Sequence, residues 1–205
     1  MPDQTVSIKP LSRSERAFVS ALASLLKEMD FSDIRVVEIV KRSGYSRGAF
    51  YARFRDKYDL ASRVLEREML IYLKNTIDYV RLKEEEGDQS QLVSLMIEYF
   101  EHIYENRDLY DAILDSRLPG YTLDEFCSEL QSMMRDRISS TLSTEASDCD
   151  LEFYSYVTIY DGIIYIKYWR LHGYQFSPEH MARQVVAFTE NQAYSSYSVK
   201  FEVPQ

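Results

Sequence analysis

From Asp56 to about Lys83 the chain runs without a glycine or a proline, and Leu60, Val64, Leu65, Met69, Leu73, Ile77 and Val80 return at three- and four-residue spacing. A stretch of this kind buries its apolar residues only as one long helix with a single inward side. The helical period recurs before and after it, and only six glycines and five prolines interrupt 205 residues. With so few breakers the expected class is all-α, with about nine helices and a core large enough for one domain or two small ones. No internal repeat or low-complexity tract appears.

Punctuation sets the boundaries. Ser12 or Ser14 can cap a first helix over 12–29, with Phe18, Leu22, Leu25, Leu26 and Met29 on one side. "RVVEIVKRS" reads as a second helix with Val36, Val37, Ile39 and Val40 inward, and Gly44 follows where a helix favours a left-handed C-cap. Ser46 then caps a third short helix, "RGAFYARF". Beyond the long fourth helix, "EEEGDQS" precedes a fifth in "LVSLMIEYFEHIYE", Asn106 caps a sixth, and residues 122–142 form a seventh with Phe126, Leu130, Met133, Met134 and Ile138 inward. Two more cover about 151–172 and 178–194, the latter opened by Ser177 and Pro178.

Charge is unevenly distributed along this order. The whole chain carries −9, but residues 1–58 carry +4 and the remainder −13. A compact basic head on an acidic body suits contact with a polyanion through the head alone. Two short helices separated by Gly44, Tyr45 and Ser46, braced by a first, have the layout of a helix-turn-helix, whose second short helix enters the major groove. At ~100° per residue, Phe50 and Phe54 share the core side of that helix. Gly48, Ala52 and Arg55 lie opposite, flanked by Arg47, Tyr51 and Arg53. Small residues at the centre let the helix approach base edges, and Arg47 at its start is placed for bidentate contact to a guanine. The alternative is an ordinary solvated face.

"IVKRSGYSRGAFYARFRDKYDL" also resembles the DNA-binding domain of TetR-family transcriptional regulators, which carry a pattern of the form I-A-x-x-A-G-V-S-x-G-T-x-Y-x-H-F-x-x-K-x-x-L. Ile39, Gly44, Ser46, Gly48, Tyr51, Phe54, Lys57 and Leu60 match it in order. The resemblance implies that Tyr51 and Lys57 hold phosphates and that Arg47, Gly48 and Ala49 line the base edges, with Arg35, Ser46 and Arg53 completing the DNA-facing set. Four departures stand out. Asp30 replaces a glycine after the first helix. Arg35 stands where a threonine usually opens the second helix; it can reach a phosphate but cannot cap, a task left to Ser32 or Asp33. Val40 and Ser43 replace alanines, and Arg53 replaces a frequent histidine.

The resemblance divides the chain into a DNA-binding domain at 10–56, a helical effector-binding and dimerisation domain at 57–195, and a tail at 196–205. "HIYENRDLYDAIL" and "YDGIIYIKYWRLHGYQFSPEHMARQVV" are similar to a branch that includes regulators of dihydroxyacetone kinase operons. A homodimer on a near-palindromic double-stranded operator is implied, with the last two long helices as its interface. Tyr156, Ile159, Ile163, Ile166, Trp169, Val185 and Phe188 supply the apolar area; intramolecular core is the competing use of the same residues. Met96, Tyr99, Phe100, Phe126, Met133 and Tyr160, on the fifth, seventh and eighth helices, are candidates to line a pocket for an unidentified small-molecule effector. Repression is the commoner outcome in such a family. Activation, or a helical ligand-binding protein that no longer binds DNA, are the alternatives.

No signature of catalysis is found: Glu98 and His102 lie at i and i+4, but HExxH, a nucleophile elbow and a phosphate loop are all absent from the sequence. A solvated helix face explains that pair without a metal, and no cofactor is expected. Cys127 and Cys149 fall in no metal or redox pattern and read as plain thiols of a reducing cytoplasm. The most apolar segment, "DGIIYIKYW", is too short and too charged to span a membrane.

Overall fold

A computed structural model of the chain describes residues 8–84, 88–141 and 150–191. The described residues form nine helices and no strand: α1 (Arg13–Leu26), α2 (Val36–Ser43), α3 (Arg47–Tyr51), α4 (Lys57–Glu84), α5 (Gln89–Glu105), α6 (Arg107–Leu114), α7 (Leu123–Thr141), α8 (Leu151–Leu171) and α9 (Pro178–Asn191). The expected tail at 196–205, Cys149 and the side chain of Ile138 lie outside the described residues.

Most helix starts follow the side-chain chemistry of their first residues. Ser12 Oγ accepts from Glu15 N at 3.3 Å while the Glu15 carboxylate accepts from Ser12 N at 2.8 Å, closing a capping box. Ser46 Oγ accepts from Ala49 N at 3.1 Å and Ser177 Oγ from His180 N at 3.1 Å. Asp56 Oδ1 opens α4 by accepting from Tyr58 N and Asp59 N, both at 2.8 Å. Two expected caps are corrected. Neither Ser32 nor Asp33 caps α2; the Glu38 carboxylate does so by accepting from Arg35 N at 2.7 Å. Asn106 precedes α6, but its side-chain amide donates back to His102 O at 2.8 Å, so it serves the end of α5.

In the head, Phe18 is the hub of an aromatic core. Its ring meets Phe50 edge-on at 5.2 Å, Phe54 at 6.1 Å and Tyr45 at 5.6 Å, with Leu22, Leu26, Ile34 and Ile39 around it. Val37, expected inward, is exposed. In the body α5 packs along α9, α7 along α8, and α4 against α5 and α7. Trp169 is fully buried, its indole N–H donating to Phe176 O at 3.0 Å and its ring edge-on to Phe100 at 5.4 Å.

Head and body meet in two ways. α4 belongs to both, and α1 packs on α6. Lys27 pairs with Asp108 at 3.0 Å, and Arg117 donates to Leu26 O at 3.0 Å, so the end of α1 is tied to both ends of the α6 segment.

The interior location of several α8 and α9 residues corrects one expectation. Ile159, Ile163, Ile166 and Trp169 of α8 and Val185 of α9 are buried inside the subunit and have no surface left for a partner. Tyr156 and Phe188 remain exposed, joined by Phe153, Val157, Ile164, Tyr168 and Leu171, the last 82% exposed. α8 is apolar on both sides, and among the described residues the outward side is the one left exposed.

Candidate functional site: nucleic-acid interface and ligand cavity

The turn before α3 has one demanding position. Gly44 sits at φ 74°, in the left-handed region that favours glycine, and it ends α2 so that α3 leaves at an angle. Phe50 and Phe54 then fasten α3 to Phe18. Fixed this way, α3 turns Arg47, Gly48, Tyr51 and Ala52 outward, with Arg55 just beyond its end. Gly48 differs from Gly44. A Cβ on it would meet only Ser46 Oγ, at an ordinary 3.8 Å, so nothing inside the chain requires a bare backbone there. The space it leaves open faces outward.

The other expected DNA-facing residues divide. Arg35 is exposed and pairs with its own-helix Glu38 at 3.1 Å. Ser46 spends its hydroxyl on the cap, and Ala49 is half-buried against the head core. Arg53 is half-buried, donating to Ala49 O at 3.3 Å and to Ser12 Oγ at 3.5 Å. Lys57, expected at a phosphate, turns its ammonium toward the head. Its ammonium donates to Phe31 O at 2.7 Å, Ser32 O at 2.9 Å and Ile34 O at 2.7 Å, and lies 4.7 Å from the Phe31 ring centre. All three N–H donors of the ammonium are engaged, so Lys57 clamps the α1–α2 loop instead of offering a charge to solvent.

In the body, a partly open cavity of about 240 Å³ lies between α4, α5, α8 and α9. α4 contributes Tyr72, Asn75, Thr76, Tyr79, Val80 and Lys83, and α5 contributes Met96, Tyr99 and Phe100. From α8 come Tyr154, Thr158, Asp161, Gly162 and Tyr165, and from α9 Val185 and Thr189. Three of the six expected pocket residues, Met96, Tyr99 and Phe100, are therefore in its wall. Phe126, Met133 and Tyr160 are not, because α7 packs on the opposite side of α8 and leaves the cavity wall to α4 and α9.

One side of the cavity rests on a tight seam. Tyr72 Oη donates to Thr158 O at 2.9 Å, and its ring lies so close to α8 that a Cβ on Gly162 would come within 2.7 Å of a ring carbon. Any larger residue at 162 would push the Tyr72 ring away from α8. Across the cavity, the hydroxyls of Tyr79 and Thr189 meet at 2.6 Å. The hydroxyls of Tyr99 and Tyr165 are buried without a hydrogen-bond partner. Asp161 has no hydrogen bond or ion pair to its carboxylate among the described residues, and burial raises its pKa above the ordinary range. A signal for this wall is present in the sequence: an aspartate and a glycine adjoin in the middle of the most apolar helix.

Elsewhere in the body Arg67 Nη1 is also buried without a hydrogen-bond partner, whereas Glu68 is paired. Buried Glu68 accepts from Tyr110 Oη at 2.9 Å and lies 2.7 Å from His102 Nε2, so His102 faces α4 and not Glu98. Among the described residues no group of three or more His, Cys, Asp or Glu could hold a metal ion, and no helix is long and apolar enough to cross a membrane. Cys127 is a buried free thiol, pushed up to about 11 first by burial, which keeps it protonated and unreactive.

Comparison with known proteins was made on sequence and on fold. A sequence profile described as "Bacterial regulatory proteins, tetR family" matches residues 18–64, and one described as "Transcriptional regulator C-terminal region" matches residues 91–191. No curated protein matches the sequence. Among solved structures, the fatty acid degradation regulator FadR from Bacillus halodurans aligns with TM-score 0.59 and 13% identity, over 88% of this chain and 96% of its own. FadR from Bacillus subtilis in complex with stearoyl-CoA aligns with TM-score 0.51 and 15% identity over 84% and 96%. The dihydroxyacetone kinase operon activator DhaS aligns with TM-score 0.52 and 15% identity over 89% and 97%. At these identities the likeness is one of fold.

Proposed function

The chain belongs to the TetR family of bacterial regulators, and on that premise we propose that it is a sequence-specific DNA-binding regulator of transcription that acts as a homodimer in the cytoplasm. The observation that carries this reading is the outward face of α3. Arg47 and Tyr51 are exposed there on either side of Gly48, whose bare backbone the fold does not need. A helix axis left uncovered between a guanidinium and a phenol suits base edges flanked by phosphates. Arg47, Gly48 and Tyr51, with Arg35 and Arg55 at the margins, form the proposed contact set. Ala49 and Arg53 shape its side, and Ser46 and Lys57 support it from within.

The second copy docks on the uncovered side of α8, where Phe153, Tyr156, Ile164, Tyr168 and Leu171 form an apolar stripe continued by Phe188 of α9. Two heads joined this way read the two halves of a near-palindromic operator. The cavity is the effector site. Its wall includes α4, the helix that begins at the head, so a ligand that favours one position of α4 biases the separation of the two heads. Repression by occupying a promoter is the direct consequence of operator binding. DhaS, similar in fold, is named an activator, and activation is the second reading.

A mobility-shift assay on DNA flanking the protein's own gene tests the proposal. Retardation should exceed that of random DNA, and Arg47→Ala should relax base preference at one position per half-site. Ile164→Arg should yield a folded monomer by sedimentation velocity, with operator affinity lost. Equal retardation of both DNAs would refute the regulator, and a dimer that survives Ile164→Arg would refute the interface.

A further inference from the structure

We infer that the cavity binds a compact organic amine in its protonated form, the ammonium held at Asp161 and the apolar body lying against Met96, Phe100 and Val185. The inference rests on the reading of this cavity as the effector site and adds the chemistry of the ligand.

Size gives the first bound. At about 240 Å³ the partly open space is close to the lower end of the ~300–1,000 Å³ range of ligand pockets, which suits a compact ligand body. Charge gives the second. Among the lining residues the carboxylate of Asp161 is the single anion, and the single cation, Lys83, is exposed near the end of α4 and already has a partner of its own. A ligand carboxylate or phosphate placed against α8 would meet Asp161, with Lys83 at the far end of α4 the single cation in the wall and already engaged. An ammonium would meet a carboxylate that lacks any partner among the described residues.

The hydroxyls supply the remaining contacts. Tyr99 is 7% exposed, and its oxygen has no hydrogen-bond partner; Tyr165 Oη, within the electrostatic reach of Asp161, has none either. A primary ammonium brings several donors, one for the carboxylate and a second for Tyr165 Oη beside it. The aromatic faces lining the cavity add cation–π attraction, which is strongest where water is excluded. Burial raises the Asp161 pKa; a bound cation opposes that shift by giving the charged form a favourable partner.

The fold also provides a readout. Trp169, the only tryptophan, packs edge-on against Phe100 of the cavity wall, so its fluorescence reports occupancy without DNA. Benzylamine, benzyl alcohol and benzoate share shape and differ in charge. Titrated into the full-length protein, benzylamine should bind at least about tenfold more tightly than benzyl alcohol, and benzoate should bind more weakly still. Asp161→Asn should abolish the preference for the amine while leaving benzyl alcohol binding unchanged. Its thermal melt serves as the folding control, and the apparent stability gained from each probe is the second measurement. Benzyl alcohol or benzoate binding as well as benzylamine, an Asp161→Asn variant that keeps the amine preference, or the absence of a response to all three probes would overturn the inference. An operator-specific protein that ignores benzylamine would refute the ligand class alone. Uptake of benzylamine by a protein without operator preference would refute the regulator alone.

Discussion

Replacing Lys57 with methionine removes an ammonium while keeping a stem of similar length against the Phe31 ring. The three carbonyls it serves close the loop between α1 and α2, and two of the three bonds, to Phe31 O and Ile34 O, are part-buried. The third, to Ser32 O, is exposed, and water can replace it. Hydrogen bonds to charged groups contribute ~1.5–3 kcal/mol each when buried. Taking about 1 kcal/mol for each part-buried bond and ~0.5 kcal/mol for the cation–π contact gives about 2–3 kcal/mol of lost stability. For a chain of this size that lowers the melting temperature by roughly 5–10 °C. Lys57→Arg should recover only part of the loss, because a planar fork cannot turn three donors toward three converging carbonyls. The second assay is operator affinity across a salt series. A clamp that makes no phosphate contact leaves the slope of log K against log salt unchanged, whereas a lost phosphate contact lowers it by about one. An unchanged melt together with a slope reduced by about one would refute the clamp and return Lys57 to the DNA.

Gly48→Ala should raise the melting temperature slightly, since alanine is favoured over glycine within a helix by up to ~1 kcal/mol and the new Cβ meets only Ser46 Oγ. The same variant should weaken operator binding in a mobility shift, and Gly48→Leu should weaken it further; unchanged affinity would place the α3 face away from the groove. Asp115 accepts from Arg170 at 2.7 and 3.0 Å and from Arg117 at 2.6 Å, and these partners, Arg170 first, hold its pKa below the ordinary value. A depressed folded pKa stabilises the fold above the unfolded value of ~3.9, and that contribution is lost as pH falls through the folded value. Asp115→Asn should therefore cost about 1 kcal/mol in urea unfolding at neutral pH, with the difference from the parent protein closing on acidification below ~3.9. A difference independent of pH would show that the loss is one of packing and not of charge.

The features legible in the sequence were those written in local chemistry. Gly44 announces the left-handed C-cap, Ser46 the start of α3, and the spacing of Phe50 and Phe54 the side on which α3 docks. Each depends on neighbours within a turn or two, and each has the expected geometry. Lys57 shows where such reading stops. Its place at the start of α4 is local, but the carbonyls of residues 31–34 are brought to it only when α1, α2 and α4 assemble.

The helical class, the order of the helices and the basic head are determined by the sequence alone, because period, caps and charge act over a few residues. Which side of α8 faces inward is not. Apolar residues surround that helix, so its pattern has no phase, and only packing against α7 and the other body helices buries Ile159, Ile163, Ile166 and Trp169 while leaving Phe153, Ile164 and Leu171 outside. The cavity is decided at the same level. Tyr72 of α4 seated on Gly162 of α8 closes one side of it, Tyr79 against Thr189 of α9 another. Contacts between residues so far apart in the chain exist only once the helices have packed.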